Sequence, residues 1–316
     1  MNDRPGGRIL LSTTGFRPQL WYDLLSAERP VVLEPDGDDD PTIEYAVVWK
    51  QPPGLLARLP YLKAIFSIGA GVDHIFADPD LPDVPIVRMV ADNLTQHMTE
   101  YVVWRVLDHH RQGALYRSHQ NRKLWREPPQ PPAENVSVGI MGLGQLGRAA
   151  AKALLSLGFQ VNGWSRTERR MDGVTTWHGE KGLTPFLNAT DILVVLLPYT
   201  TATEGIVNYD LLGKLRRDGE LGGPCLINAG RGKLQRGDDI LRALDDDILK
   251  EASLDVFEEE PLPPESPFWT HPKVFVTPHA AATSDPHHLV PLILEQMTAF
   301  ERGEPLRNVV NREEGY

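Results

Sequence analysis

The chain has 316 residues, 41% of them hydrophobic and 24% charged, the balance of a soluble globular protein, and at ~150 residues per domain this length predicts about two domains. A formal charge of −11 argues against nucleic acid or an anionic membrane bound over a broad basic face, and leaves room only for a local cationic pocket for a small anion. The single cysteine, Cys225, excludes an intramolecular disulfide; with no signal-peptide apolar region at the start and no apolar run near the ~18 residues of a membrane span, the expected location is a reducing cytoplasm.

In chain order, Arg8–Thr13, Val31–Glu34, Tyr45–Trp49, Leu62–Ser67 and Pro85–Val90 read as strands. Their continuous apolar runs suit a parallel sheet covered on both faces. Pro18–Ala27 reads as a helix and Leu55–Leu59 as a turn bounded by Pro53 and Pro60. A longer helix is predicted over 93–117, and the proline-rich stretch Trp125–Pro132 after it can be neither helix nor central strand, so it reads as an arm or linker. A second alternating series follows. Its strands are Val136–Met141, Gln160–Trp164, Ile192–Leu197, Cys225–Asn228, Ala252–Val256 and Val274–Thr277, with helices over Leu146–Leu157 and Asp238–Leu249. Phe257–His271 reads as a proline-rich loop and Pro286–Arg302 as a last helix. Two doubly wound, parallel-sheet α/β units result.

Gly142-x-Gly144-x-x-Gly147 lies directly after a strand and opens a helix, the context that a dinucleotide-binding turn requires. Gly142 permits the tight turn, Gly144 lets the backbone approach a pyrophosphate, and Gly147 allows close helix–strand packing. The N–H groups at the helix start then hold the anion. The end of the next strand distinguishes the cofactors. An NAD site would carry Asp or Glu there, but Trp164-Ser165-Arg166 places a cation instead, suited to a 2′-phosphate. Opposite unit charges ~4 Å apart attract by ~4 kcal/mol at an effective dielectric of ~20 before desolvation, so even a fraction of this favours NADPH. NADP(H) is the expected cofactor, with NAD(H) as the second choice. Arg169 and Arg170 read as a solvated loop.

Three further loops follow strand ends, where doubly wound folds bind ligands. Asn228-Ala229-Gly230-Arg231-Gly232 presents Arg231 between two glycines, Asp255–Pro263 carries an acidic run with Glu260, and Thr277-Pro278-His279 presents His279. An arginine, a carboxylate and a histidine in one crevice would suit reduction of a 2-oxo acid. Arginine anchors the carboxylate and polarises the carbonyl, histidine supplies a proton, and a neighbouring glutamate stabilises the imidazolium. Taken singly, each has a blander reading: a loop cap, a solvated acid, a core histidine.

The motifs GLGQLG, LPYTTAT, NAGRG, LDVFEEEPLP and SPFWTHPKVFVTPHAA together resemble the D-isomer-specific 2-hydroxyacid dehydrogenase family. SIGAGVDHI, NRKLW, GWSR and GEPLRNVVNREEGY resemble its glyoxylate/hydroxypyruvate reductase branch. The resemblance covers nearly the whole chain. It implies Arg231, Glu260 and His279 as the catalytic set, with His279 as proton donor. It implies a cofactor site of Gly142, Gly144, Gln145, Leu146, Gly147, Ser165, Arg166, Leu197, Pro198, Thr203, Ala229 and Asp255. For the substrate it implies Trp49, Gly69, Ala70 and Gly71 together with Arg231. It also implies a homodimer with an arm near Trp125, an active site in the interdomain cleft, a discontinuous substrate domain (1–98 and 283–316) and a dinucleotide domain over 99–282.

No metal is expected: His109/His110 and His287/His288 are adjacent pairs that do not share a helix face, and no HxxxH or CxxC spacing occurs. The acidic run Asp36–Asp40 reads as a solvated loop and Cys225 as a packing residue. The sequence therefore points to NADPH-dependent reduction of small 2-oxo acids, glyoxylate and hydroxypyruvate first. The alternatives are a dehydrogenase for a larger 2-hydroxy acid and a dinucleotide-sensing binding protein or co-repressor on the same fold.

Overall fold

The computed structural model describes residues 7–15, 18–35 and 40–316. The N-terminal six residues and Asp36–Asp39 of the expected solvated acidic loop lie outside the described residues. Asp40 is itself buried and accepts hydrogen bonds from the Thr42 backbone N–H (2.9 Å) and hydroxyl (2.6 Å). The chain divides into two compact units, Met1–Leu94 with Ser284–Tyr316, and Thr95–Thr283. The sequence places these cuts after 98 and after 282.

The first unit contains β1 (Arg8–Thr13), α1 (Gln19–Ser26), β2 (Val31–Val32), β3 (Ile43–Trp49), β4 (Ala64–Ser67), α2 (Asp73–Phe76) and β5 (Ile86–Val87). The strands run parallel in the order β2-β1-β3-β4-β5. The order reverses between β1 and β3, so the carboxyl ends of those strands border the crevice where such sheets bind ligands. Tyr45, Ala46, Val47 and Val48 of β3 are all fully buried, as expected of a central parallel strand with both faces covered. The edge strands are shorter than their apolar runs suggest, because Leu33 and Glu34 already leave β2 for solvent.

The second unit begins in helix α3 (Asp92–His110) and continues through α4 (Gly113–Asn121), β6 (Ser137–Met141), α5 (Gln145–Ser156), β7 (Gln160–Ser165), β8 (Val174–His178), α6 (Gly179–Asn188), β9 (Ile192–Val195), α7 (Tyr209–Leu212), β10 (Cys225–Asn228), α8 (Gly237–Asp245), β11 (Glu251–Leu254) and β12 (Val274–Val276). All its strands are parallel, in the order β12-β11-β10-β9-β6-β7-β8. The predicted helix over 93–117 is in fact two helices. Gln112 adopts a left-handed conformation (φ 57°) and its side-chain amide donates to Pro129 O at 2.6 Å, tying the break to the proline-rich stretch. The Asp108 carboxylate fills the space that a side chain at Gly113 would need, and there accepts from Arg117 (2.8 and 2.9 Å) and Arg105 (3.0 Å). Strand β8 and helix α6 have no counterpart among the predicted elements. β8 is a half-exposed edge strand without an apolar run, and α6 carries Gly179, Gly182 and Pro185, which erase its helical signature.

The chain returns to the first unit as helix α9 (Pro286–Glu301), which packs beside α1. Its last residue forms a polar anchor inside that unit. The Glu301 carboxylate receives both guanidinium arms of Arg29 (2.6 and 2.9 Å) and the Tyr45 hydroxyl (3.2 Å). Arg29 is only 4% exposed, so removing its partner would strand a buried charge. The Arg29 guanidinium holds the Glu301 carboxyl below the usual carboxylate range. A depressed acid contributes stability that is complete above its unfolded value, about 4.3, and is lost as pH falls through the lower folded value. Glu301→Gln is therefore expected to lower unfolding stability by about 1–3 kcal/mol at neutral pH and by progressively less as pH falls below about 4, measured by urea denaturation across pH.

Candidate active site

At the carboxyl end of β6 the chain turns through Gly142 at φ +109°, which an L side chain rarely adopts. A Cβ on Gly142 would strike the backbone of Leu196 and Leu197 at the end of β9, so the turn lies at the point where the strand order reverses. A Cβ on Gly147 would overlap Gly142 O, which brings α5 tight against the turn. Gly144, by contrast, faces open space and precedes α5 with no side-chain cap. The helix thus begins with uncapped N–H groups beside an accessible backbone, which fits a bound pyrophosphate. Gln145 opens the helix and donates to Thr95 Oγ1 at 3.1 Å, while Leu146 is half-buried. Ser165 ends β7, buried, with its hydroxyl donating to Thr167 O at 2.8 Å; Arg166 follows in the exposed loop. Arg170 pairs with Glu168 at 3.0 Å, both largely in solvent. Beyond β9, Thr203 donates to Pro198 O (2.8 Å) and accepts from Thr200 N–H (2.8 Å), which folds the loop after buried Leu197 into a compact turn.

The three remaining loops adjoin one another at the carboxyl ends of β10, β11 and β12. Ala229 is buried, and Asn228 ties its own loop by donating to Arg231 O (3.2 Å) and to Gln235 Oε1 (2.8 Å). Gln235 in turn donates to Val256 O at 3.1 Å, and Gly232 lies so close to Phe257 that no Cβ would fit. Arg231 is half-buried, with one guanidinium nitrogen donating to Gly230 O at 2.8 Å. Asp255, 1% exposed, accepts from the Thr277 hydroxyl (2.6 Å) and from the N–H groups of Ala280 (2.8 Å) and Ala281 (3.0 Å). Its backbone carbonyl takes His279 N–H at 2.7 Å, and His279 itself sits at φ 53°. Held in this way, the imidazole brings Nδ1 to 2.9 Å from Glu260 Oε2, while Glu260 Oε1 accepts from Phe257 N–H at 3.2 Å. The His279 side chain remains 33% exposed, so the ring is anchored on one nitrogen and reachable from solvent. Tyr101, whose hydroxyl bonds Thr277 Oγ1 at 2.8 Å, extends this network and carries no local sequence signal.

In the first unit, Trp49 ends β3, and its indole lies over Gly69 so closely that a Cβ there would meet the ring at 2.5 Å. The Gly69-Ala70-Gly71 turn follows β4. Its first N–H is already used, donating to Ser67 Oγ at 3.3 Å, so of the three expected donors Ala70 and Gly71 are the ones without a partner among the described residues.

His109, Cys225 and Glu251 meet at the opposite, amino-terminal edge of β10 and β11, with candidate ligand atoms within 4.8 Å of one another. Sequence spacing could not place them together. Both His109 nitrogens already have hydrogen-bond partners, Glu251 Oε2 and Ser253 Oγ, each at 2.8 Å, and burial pushes the Cys225 thiol pKa up. This is the geometry of a satisfied polar cluster within the core.

Comparison with known proteins identifies the family. Residues 103–281 match the model of the D-isomer specific 2-hydroxyacid dehydrogenase, NAD binding domain. The chain is 41% identical over 310 residues to glyoxylate/hydroxypyruvate reductase A of Salmonella choleraesuis, covering 95% of this chain and 97% of that one. The crystal structure of the NADPH-dependent glyoxylate/hydroxypyruvate reductase of Sinorhizobium meliloti, in complex with NADP and sulfate, superposes with a TM-score of 0.93 at 46% identity, covering 98% of this chain and all of that one. A probable 2-hydroxyacid dehydrogenase of Rhizobium etli, in complex with NADP, HEPES and tartaric acid, gives 0.92 at 45% identity over 98% and 100%. The chain belongs to the D-isomer specific 2-hydroxyacid dehydrogenase family of NAD(P)-dependent oxidoreductases.

The glycine turn separates two effects experimentally. Gly147→Ala forces a Cβ into Gly142 O and should cost ~1–3 kcal/mol, seen as a melting temperature several degrees lower. Gly144→Ala should leave the melting temperature of the cofactor-free protein within about 2 °C while reducing the stabilisation that added NADP(H) gives.

Proposed function

We propose that the protein reduces small 2-oxo acids with NADPH, converting glyoxylate to glycolate and hydroxypyruvate to D-glycerate. The observation that carries this reading is the Glu260–His279 pair at 2.9 Å, on a loop adjoining the one that bears Arg231, within the unit that matches the NAD-binding domain. Support comes from the two reductases of that name to which the chain is similar.

In this reading Arg231 binds the substrate carboxylate and polarises the carbonyl to be reduced. Trp49 and the N–H groups of Ala70 and Gly71, without a partner among the described residues, are the substrate residues of the first unit in this reading, the amides acting as an anion nest. The bound cofactor supplies a hydride to C2. His279, its Nδ1 held by Glu260, gives the Nε2 proton to the carbonyl oxygen, so the alkoxide never accumulates. Glu260 orients the ring. Gly142, Gly144, Gln145, Leu146 and Gly147 receive the pyrophosphate, and Leu197, Pro198, Thr203 and Ala229 line the cofactor's path. Ser165 and Arg166 meet the 2′-phosphate, and the one unfilled lone-pair direction of Asp255 Oδ2 suits the nicotinamide amide.

The active form is a homodimer in this account. Trp104, Leu115, Tyr116, Leu124 and Trp125 are all exposed along α3, α4 and the arm, an apolar surface of the kind that a partner subunit covers. Among the described residues no helix is long and apolar enough to cross a membrane, and the buried lone cysteine suits a reducing cytoplasm.

A single assay series tests the reading, with NADPH or NADH oxidation followed at 340 nm on a panel of 2-oxo acids. The parent protein should favour NADPH several-fold in kcat/KM, Arg166→Ala should abolish that preference, and His279→Ala should lower kcat by about 10²-fold or more without weakening NADPH binding. Equal use of the two cofactors by the parent, or no turnover of any 2-oxo acid, would contradict it.

A further inference from the structure

The proposed substrate residues of the first unit are joined by one side chain that has no role so far. His74 lies in α2, three residues past the Gly69–Gly71 turn. Its Nδ1 accepts the Lys50 backbone N–H at 3.2 Å, which leaves Nε2 as the nitrogen that carries the proton of the neutral ring. That Nε2–H faces Ser67 Oγ at 3.2 Å. Ser67 Oγ also accepts Gly69 N–H at 3.3 Å and donates its own proton to Gly71 O at 3.0 Å. The serine hydroxyl therefore spans the turn from its first residue to its last, with both acceptor sites and its one donor used. On its other side the His74 ring meets the Trp49 indole, centroids 4.6 Å apart. The same indole covers Gly69.

Lys50 adds a second reason to regard this histidine as a structural link. It directly follows Trp49, and its φ of 49° is one that L residues rarely adopt. The bond from its N–H to His74 holds the chain in that conformation just where the indole is aimed. His74 thus touches the Trp49 loop through a ring face and a backbone bond, and the Gly69–Gly71 turn through Ser67. The two segments follow the paired strands β3 and β4, already joined by Ile68 N–H to Val48 O (3.1 Å) and by the indole over Gly69, and His74 adds a hydrogen-bonded side-chain link between them.

We propose that His74, as the neutral Nε2–H tautomer, is a positioning residue that locks the Trp49 indole and the Gly69–Gly71 turn into one unit and so sets affinity for the 2-oxo acid carboxylate. This rests on the reading that Trp49, Ala70 and Gly71 bind substrate. The lock itself exists or fails independently of that reading.

Three variants separate its parts. His74→Phe keeps a ring against Trp49 and removes both hydrogen bonds. His74→Asn places an amide oxygen where Nδ1 accepts from Lys50, and His74→Gln places an amide N–H where Nε2 donates to Ser67. Amide hydrogen exchange on the whole protein, read over 47–54 and 66–72, tests the lock without any substrate. His74→Phe should exchange about tenfold faster in both segments, His74→Asn should restore protection mainly in 47–54, and His74→Gln mainly in 66–72. In the steady state, His74→Phe should raise KM for glyoxylate about tenfold while kcat and KM for NADPH change by less than about threefold, with His74→Asn and His74→Gln falling between it and the parent. Parental exchange in both segments of a folded His74→Phe protein would overturn the lock. Faster exchange with an unchanged glyoxylate KM would overturn its role in substrate affinity. A parent protein that turns over no 2-oxo acid would refute the functional reading while the exchange data still decide whether His74 couples the segments.

Discussion

A single buried carboxylate organises the candidate catalytic loops. Asp255 directly follows β11 of the second unit with 1% of its surface exposed, and among the described residues no cation is bonded to it. Its charge is instead met by a hydroxyl and two backbone N–H groups from 277–281. Hydrogen bonds to a charged acceptor are worth ~1.5–3 kcal/mol each, and a buried carboxylate without them would be strongly destabilising. The loop after β12 therefore has little freedom: its backbone must present those donors to Asp255. His279 is carried along in a left-handed conformation, and its ring arrives beside Glu260. Removal of the carboxylate would remove the reason for the loop's shape.

The same logic recurs at smaller scale within each unit. Asn228 and Gln235 close the Arg231 loop onto Val256, and Ser67 closes the Gly69–Gly71 turn onto itself. In each case a polar side chain at or next to a strand end fixes the loop that follows. Parallel sheets make this economical, because all the strand ends of one unit point the same way and a row of such loops is presented together. The sheets supply rigidity through apolar cores, while the chemistry-bearing groups stand in the loops.

What the sequence discloses follows the range of the interactions involved. The strands of both units were legible because continuous apolar runs mark buried parallel strands, and Gly142, Gly144 and Gly147 were legible because turn, approach and packing act within a few residues. Arg231, Glu260 and His279 stand out as polar residues after such runs, with the family motifs fixing which ones. Beyond the one-turn helices α2 and α7, four features escaped. Strand β8 lies at the sheet edge and has no apolar run; α6 is written in glycine and proline; the break at Gln112 depends on a carboxylate and a proline-rich segment meeting it in space. The links from Asp255 to Thr277, Ala280 and Ala281, from Thr277 to Tyr101, and from His74 to Lys50 join residues far apart in the chain, and no periodicity encodes such bonds.

The central claim is that the Asp255 carboxylate shapes the loop that delivers His279. Its most direct test is the single-turnover rate of hydride transfer from NADPH to glyoxylate in Asp255→Asn, followed by stopped-flow absorbance. The substitution keeps size and one acceptor but turns an amide N–H toward a backbone N–H of Ala280 or Ala281, so the loop must move. The account predicts a fall of about 10²-fold at saturating NADPH in a folded protein, because a displacement near 1 Å is enough to misplace a proton donor. A transfer rate within about threefold of the parent would contradict it.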